Sequence, residues 1–441
     1  YYSFILIELF SIFFFILVFY LIFKELKLSN EFSILLCVIF YCLPILMQYL
    51  TLTNITELQT FSNNFYNLRF PRPLISNLYL FTFIYILILD IKKDTFDIKC
   101  LISYSILLAL SLTSFFFIFI LQLLSLIIFL LYKHKKKIIE DFLIKKKEIT
   151  VSFVIFFILL LPFIYLANNS SPDYLERLGV INIDIYQKKE IILHYVEKLT
   201  RVKIVILYLT IFILYNFIKS KYKNNLDNIK VFLIIFFSSI LSPIIFVIFS
   251  NKISFLYHFN NLVVITSILL ILIMVLSIFE SNFRRIHKNK YFNQFNVILI
   301  ITVITLYNYA NITTKHKNLS DNARFERNDV IKLIKKNNRI NLNKISLLTF
   351  DTKIMTWAII NKVPYLKILD GTYSSKNNLL TEKDLIETFK FLKLSESDLF
   401  KFLENKKIGY RYLNKDARKI FWQKYQANSL KTYKNSVDFD N

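Results

Sequence analysis

Stretches of about twenty apolar residues recur along this chain, separated by short loops that alternate in charge. Residues 4–23, 31–50, 73–91, 101–132, 149–168, 203–218, 231–250, 262–279 and 297–310 are nearly free of charge. A buried helix of a soluble domain needs one apolar face, whereas a bilayer needs a helix apolar all round. The repetition therefore predicts an α-helical polytopic membrane protein. The loops then decide its orientation.

Composition agrees. The chain is 55% hydrophobic, and its mean hydropathy is +0.47. Its net charge of +24 does not point to nucleic acid. Much of the excess Lys sits in short loops, and the abundance of Ile, Lys, Asn, Phe and Tyr follows an AT-rich coding bias. Cys37, Cys42 and Cys100 lie in or beside apolar segments, so neither a disulfide framework nor a zinc site is expected. The chain opens on Tyr-Tyr and is apolar by Ile5, without the charged start of a signal peptide. It reads as a chain missing its N-terminus.

Lys and Arg stay on the cytoplasmic side of membrane proteins. The richest short loops are 133–147, 219–230 and 284–290, and those at 24–27 and 92–99 are also basic. All five are expected inside. Residues 51–68 hold no Lys or Arg and 251–261 hold only Lys252, so these are expected outside. With 92–99 and 133–147 on one side, the run 101–132 must cross twice or not at all. One helix of that length would reach about 48 Å, too long for a bilayer core of roughly 30 Å. Two short helices turning near Leu112-Thr113-Ser114 are therefore predicted. The total is about ten spans, with 51–72, 169–202 and 251–261 outside. At least one further span is expected before residue 1.

Hydropathy falls after residue 311, which divides an N-terminally truncated transmembrane domain, 1–311, from a small extracytoplasmic α/β domain, 312–441. In the latter, 323–336 reads as a helix, and 345–350 and 363–369 as strands. Thr381-x-x-Asp384 and Ser395-x-x-Asp398 have capping-box spacing with Asp in place of Glu. No Gly-rich phosphate loop is present there, and positioning a substrate or partner is the expected role.

Candidate chemistry sits in the outside loops. Arg69-Phe-Pro-Arg72 puts two arginines against the positive-inside trend, at the mouth of a span. Arginine offers a planar fork to phosphate or carboxylate; the alternative is an interfacial pair reaching for headgroups. Glu57 is the carboxylate of that loop. The loop 168–203 offers Asp173, Glu176, Arg177 and Asp184, and its part 186–200 is amphipathic enough to lie flat at an interface. His258, followed by Asn260, ends the third loop against the next span. The spans hold few ionisable groups, which disfavours an ion or solute pathway built on mid-membrane charges.

Many spans, an outward active face, functional loops between early helices, a pair of short helices mid-chain and an extracytoplasmic α/β tail together resemble the GT-C class of integral membrane glycosyltransferases. The resemblance is architectural. It implies transfer of a sugar from a polyprenyl-phosphate donor in the membrane to a glycan, lipid or protein acceptor, in a bacterial plasma membrane. In that class the first outside loop carries the catalytic acid, which would precede residue 1 here. Within the chain Glu57 and Asp173 are the candidates. Arg69, Arg72, Arg177, His258 and Asn260 are the implied donor-phosphate contacts. A divalent metal is left open without assigned ligands. The class's acid-x-acid signature occurs in none of the outside loops. An O-antigen or polysaccharide polymerase or ligase, and a non-enzymatic transporter or scaffold, are the alternatives.

Overall fold

The computed structural model describes residues 2–49, 74–93, 97–134, 140, 143–169, 181–221, 225–253, 257–283, 290–317, 390–395, 397 and 398. These residues are mostly helical. The helices are α1 (Tyr2–Glu25), α2 (Asn30–Tyr49), α3 (Leu74–Asp90), α4 (Ile98–Ser114), α5 (Phe116–His134), α6 (Lys146–Asn168), α7 (Ile185–Leu199), α8 (Val202–Lys221), α9 (Leu226–Phe249), α10 (Tyr257–Phe283) and α11 (Lys290–Lys317). Six of them, α1, α5, α6, α8, α9 and α10, are long and apolar enough to cross a membrane. Shorter apolar stretches make up α2, α3, α4 and α11. The protein is thus an integral membrane protein by length and composition of its helices.

Strand among the described residues is confined to β1 (Ile181–Asn182) and β2 (Lys252–Ile253), paired antiparallel. Ile183 N–H extends the ribbon to the Asn251 carbonyl at 2.9 Å. The helix at 323–336 and the strands at 345–350 and 363–369 lie outside the described residues. Within 390–398, the Ser395 box forms as its spacing predicts. Ser395 N–H donates to Asp398 Oδ2 at 2.9 Å, and Asp398 N–H donates to Ser395 Oγ at 3.3 Å.

By compactness the chain forms two units. One comprises Tyr1–Phe163, Ile185–Phe249 and Leu256–Asn318, the other Ile164–Asp184, Ser250–Phe255 and Leu319–Asn441. In the first, α9 and α10 are mostly buried at the centre, while α6 and α8 expose most of their apolar side chains. Helix α9 packs on α10, α5 and α3; α1 packs on α3, and α11 runs along α2. Phe19 stacks with Phe40 of α2 and touches Phe81 of α3, knitting the first three helices. Hydroxyls inside these helices are satisfied locally, as where Ser267 Oγ donates to the Val263 carbonyl. Others bridge helices: the Ser239 and Thr266 hydroxyls lie 2.8 Å apart between α9 and α10, and Gln122 of α5 donates to the Tyr79 carbonyl of α3.

The local breaks have identifiable causes. After α1 the chain makes a Schellman turn: Leu28 N–H reaches the Phe23 carbonyl, Lys27 N–H reaches that of Lys24, and Lys27 takes φ 63° where glycine is usual. Ser29 then caps α2 by accepting from Phe32 N–H at 3.2 Å. Helices α4 and α5 are separated by Phe115 alone, at φ −151° and ψ 86°. They fold back on one another. Tyr104 of α4 and Lys133 of α5 both bind Asp90, yet on one continuous helix they would lie about 43 Å apart. The expected hairpin is therefore present, with its turn one residue beyond the predicted Leu112–Ser114.

Candidate functional site

The helix ends of the first unit sort into two sets. At one, which we call the basic end, the Lys-rich loops meet. Lys92, beyond α3, pairs with Glu25 at the end of α1. Asn225 and Asn228, at the start of α9, donate to the carbonyls of Leu26 and Glu25 at 3.3 and 3.0 Å. Those carbonyls belong to the last turn of α1, which has no intrahelical donors for them. The loops that charge assigned to one side, 24–27, 92–99 and 219–230, are thus bonded to one another.

The same end holds an ion pair that sequence reading passed over. Lys133 Nζ lies 2.8 Å from Asp90 Oδ1, and both side chains are almost wholly buried. Tyr104 OH donates to Asp90 Oδ2 at 3.0 Å. Lys133 also stands over the Phe129 ring, 6.0 Å from its centroid. Asp90 closes α3 at the C-terminal pole, where the helix dipole disfavours an anion, so the buried ammonium offsets both charge and dipole. With both carboxylate oxygens engaged, the cluster is a clamp joining α3, α4 and α5. The signal that could have found it is a lone carboxylate ending the apolar run 73–91. Its partner was hidden among the seven lysines of 133–147, counted as loop.

Outside the spans on this end, Asp97 caps α4 by accepting from Lys99 N–H at 2.8 Å. It also takes a hydrogen bond from Lys93. That bond, then the Lys99 amide, holds the Asp97 carboxyl below its ordinary range.

At the far end lies the hairpin turn. His258, in the first turn of α10, is half-buried between Phe115 and Phe117, with ring centroids at 4.9 and 4.8 Å. Phe259 beside it is fully buried against Phe117 and against Phe246 near the end of α9. His258 thus sits where a long helix begins, backed by an aromatic wall. The N–H groups of a helix's first turn favour an anion there. Asn260 is also half-buried, but side chains two positions apart on a helix do not share a face.

Helix α7 completes this end. Its 15 residues are amphipathic, as expected for 186–200, and it packs on the C-terminal half of α9. Tyr195 OH donates to the Ile240 carbonyl at 3.2 Å, and Lys188 Nζ to that of Ile248 at 3.1 Å. Ile248 belongs to the last turn of α9, whose carbonyls lack intrahelical donors, so Lys188 caps a neighbouring helix. Burial pushes the Tyr195 phenol above its ordinary pKa.

Of the residues singled out in sequence, Asp184, His258 and Asn260 are described. Glu57, Arg69, Arg72, Asp173 and Arg177 lie outside the described residues. Asp184 is exposed and just precedes α7. Among the described residues no three His, Cys, Asp or Glu side chains come together as metal ligands would. No protein-family model matches this chain, and neither a curated protein nor a solved structure is significantly similar to it.

Proposed function

We propose that this chain is a GT-C-type membrane glycosyltransferase that moves a sugar from a polyprenyl-phosphate donor to an extracytoplasmic glycan, lipid or protein acceptor. The observation that carries the reading is the division of labour between helix ends. At the basic end the contacts described are ion pairs and helix caps. The far end presents a half-buried histidine at a helix start and an amphipathic helix between α6 and α8. Under the positive-inside rule the basic end is cytoplasmic, so the far end faces outward, where a lipid-linked sugar is used. The α/β region 312–441 is then outside, the spans number about ten, and the membrane is the bacterial plasma membrane.

In this mechanism the acceptor hydroxyl attacks the anomeric carbon, the bond to the donor phosphate breaks, and polyprenyl phosphate leaves with inversion. Arg69, Arg72, Arg177 and His258 supply donors to the departing phosphate, and Asn260, on another face of α10, hydrogen-bonds a different part of the donor. Glu57 or Asp173, or an acid before residue 1, takes the proton of the acceptor.

The test is turnover of a radiolabelled polyprenyl-phosphate sugar by the full chain in nanodiscs, scored as release of polyprenyl phosphate. Arg69→Lys keeps the charge but loses the planar fork, and a loss of at least about ten-fold is expected. Folded protein that turns over no polyprenyl-phosphate hexose, pentose or aminosugar would remove the reading. Full activity of Arg69→Lys together with His258→Ala would remove the assigned site.

A further inference from the structure

Beside α7 runs a groove of about 420 Å³, lined by Ile185, Lys188, Lys189, Ile192, Leu193 and Ile248. Its walls are aliphatic, and its charges are both positive. The residues around it form a register on α7. Ile185, Lys189, Ile192, Leu193 and Val196 recur at i, i+4, i+7, i+8 and i+11, one face of a helix. Tyr195 lies on the face buried against α9. The acidic residues of α7, Glu190 and Glu197, share a third face with His194, which lies 3.7 Å from Glu197. The helix therefore has a packing face, a water face with all its carboxylates, and an apolar face whose charge is cationic.

Among the described residues none covers that apolar face. Ile185 is 77% exposed and Leu193 58%, and Phe249 at the end of α9 is 84% exposed. Soluble proteins rarely leave such a patch open, and in a membrane protein its natural cover is lipid. Lys188 is spent in part on the Ile248 carbonyl. Lys189, in the middle of the apolar face, is exposed and has no carboxylate partner among the described residues. A lysine so placed runs its methylenes along the apolar surface and sends its ammonium to the headgroup layer.

We propose that this groove binds an anionic phospholipid of the surrounding bilayer, its phosphate on Lys189 with Lys188 behind it, and an acyl chain along Ile185, Ile192, Leu193 and Ile248. The site is an anchor that holds α7 in the interface. It rests on the membrane character of the chain and not on glycosyl transfer. A zwitterionic lipid offers the same acyl chain but places a choline beside the lysines, which weakens the contact.

The test uses the full chain in nanodiscs, with Trp357 and Trp422 changed to Phe and a reporter placed by Leu193→Trp. Quenching is read with chain-brominated phosphatidylglycerol against chain-brominated phosphatidylcholine, in discs mixing the two. Quenching per mole is expected to be several-fold stronger from phosphatidylglycerol. Lys189→Gln should cut that preference roughly five-fold, the worth of one lysine near an anionic surface, and Lys189→Arg should keep it. Lys189 is exposed, so these variants fold; circular dichroism checks it. Equal quenching by both lipids, no quenching by either, or an undiminished preference in Lys189→Glu would each overturn the proposal. Loss of sugar transfer with the lipid preference intact would overturn the glycosyltransferase reading and leave this site standing.

Discussion

The two ends of the helical bundle are built from different chemistry. At the basic end, Glu25–Lys92, Asp90–Lys133 and the Asn225 and Asn228 caps tie α1, α3, α4, α5 and α9 with charges and amides. At the far end, Phe115, Phe117, Phe246, Phe259 and His258 meet as rings, and the polar contacts of α7 go to backbone carbonyls of α9. Polar pairs demand one geometry and resist sliding. Ring stacks and an open apolar groove tolerate small shifts at low cost. One end is a clamp, and the other is held by softer contacts.

The comparison breaks most plainly on sidedness. Single cysteines at Thr113, Ser374 and Ser429 should react with an impermeant thiol reagent in intact cells, whereas one at Ser220 should react only after lysis. The native Cys37, Cys42 and Cys100 are buried and give a low background. Labelling of Ser220→Cys from outside would invert the assignment of the ends.

Next in size is the clamp itself. Lys133→Met strands a buried carboxylate, and a loss of about 3–5 kcal/mol is expected in thermal or denaturant unfolding in detergent. The double variant Asp90→Asn with Lys133→Met should recover most of it, because no isolated charge remains. Equal losses in the single and double variants would mean the pair does not act as one unit.

Smaller effects belong to the far end. His258→Leu keeps bulk but loses two ring contacts, which predicts about 0.5–1.5 kcal/mol per contact. An unchanged melting temperature would show that the histidine is not held by the aromatic wall.

The smallest effect separates the clamp from its periphery. Asp97→Ala should cost about 1 kcal/mol at neutral pH through the lost cap. Because the folded carboxyl is held low, that contribution is complete above the ordinary Asp value of about 3.9 and disappears as pH falls through the lowered one. The gap between wild type and variant should therefore stay constant down to about pH 4 and close below it. A gap that closes near neutral pH would assign the effect to another group.

Much of this was legible in sequence because a bilayer imposes one simple demand on every span. Apolar length marked the helices, and charge parity demanded the fold-back at 101–132, placed at Phe115 in the structure within a residue of expectation. Three of the loops grouped by Lys content, 24–27, 92–99 and 219–230, proved to be bonded to each other, and 169–202, placed outside by alternation, meets 251–261, placed there by its scarcity of Lys, in the β1–β2 ribbon. The amphipathic register at 186–200 gave α7, and the Ser395 spacing gave a cap. The Asp90–Lys133 pair was not legible. Its partners lie 43 positions apart, and only the hairpin brings them together. Local composition carries no trace of a contact that depends on how far a later helix folds back. Likewise the pairing of His258 with Phe115 and Phe117 depends on where the turn falls, to within a residue.

The hairpin also constrains how the chain is made. Helices α4 and α5 are 17 and 19 residues long with a single residue between them, and Thr113 to Phe117 carry no charge. Nothing in that turn would hold it in the aqueous exit of the insertion machinery while the second helix waits. Two short helices joined by one uncharged residue are expected to enter the lipid together, with the lysines that follow residue 132 kept on the side the positive-inside rule assigns them. Lys133 lies on the far side of the hairpin from Asp90 in sequence, so the buried ion pair can close only once the hairpin has folded back. Lys133 thus belongs both to the basic loop that charge assigns to one side and to the ion pair that holds the hairpin closed.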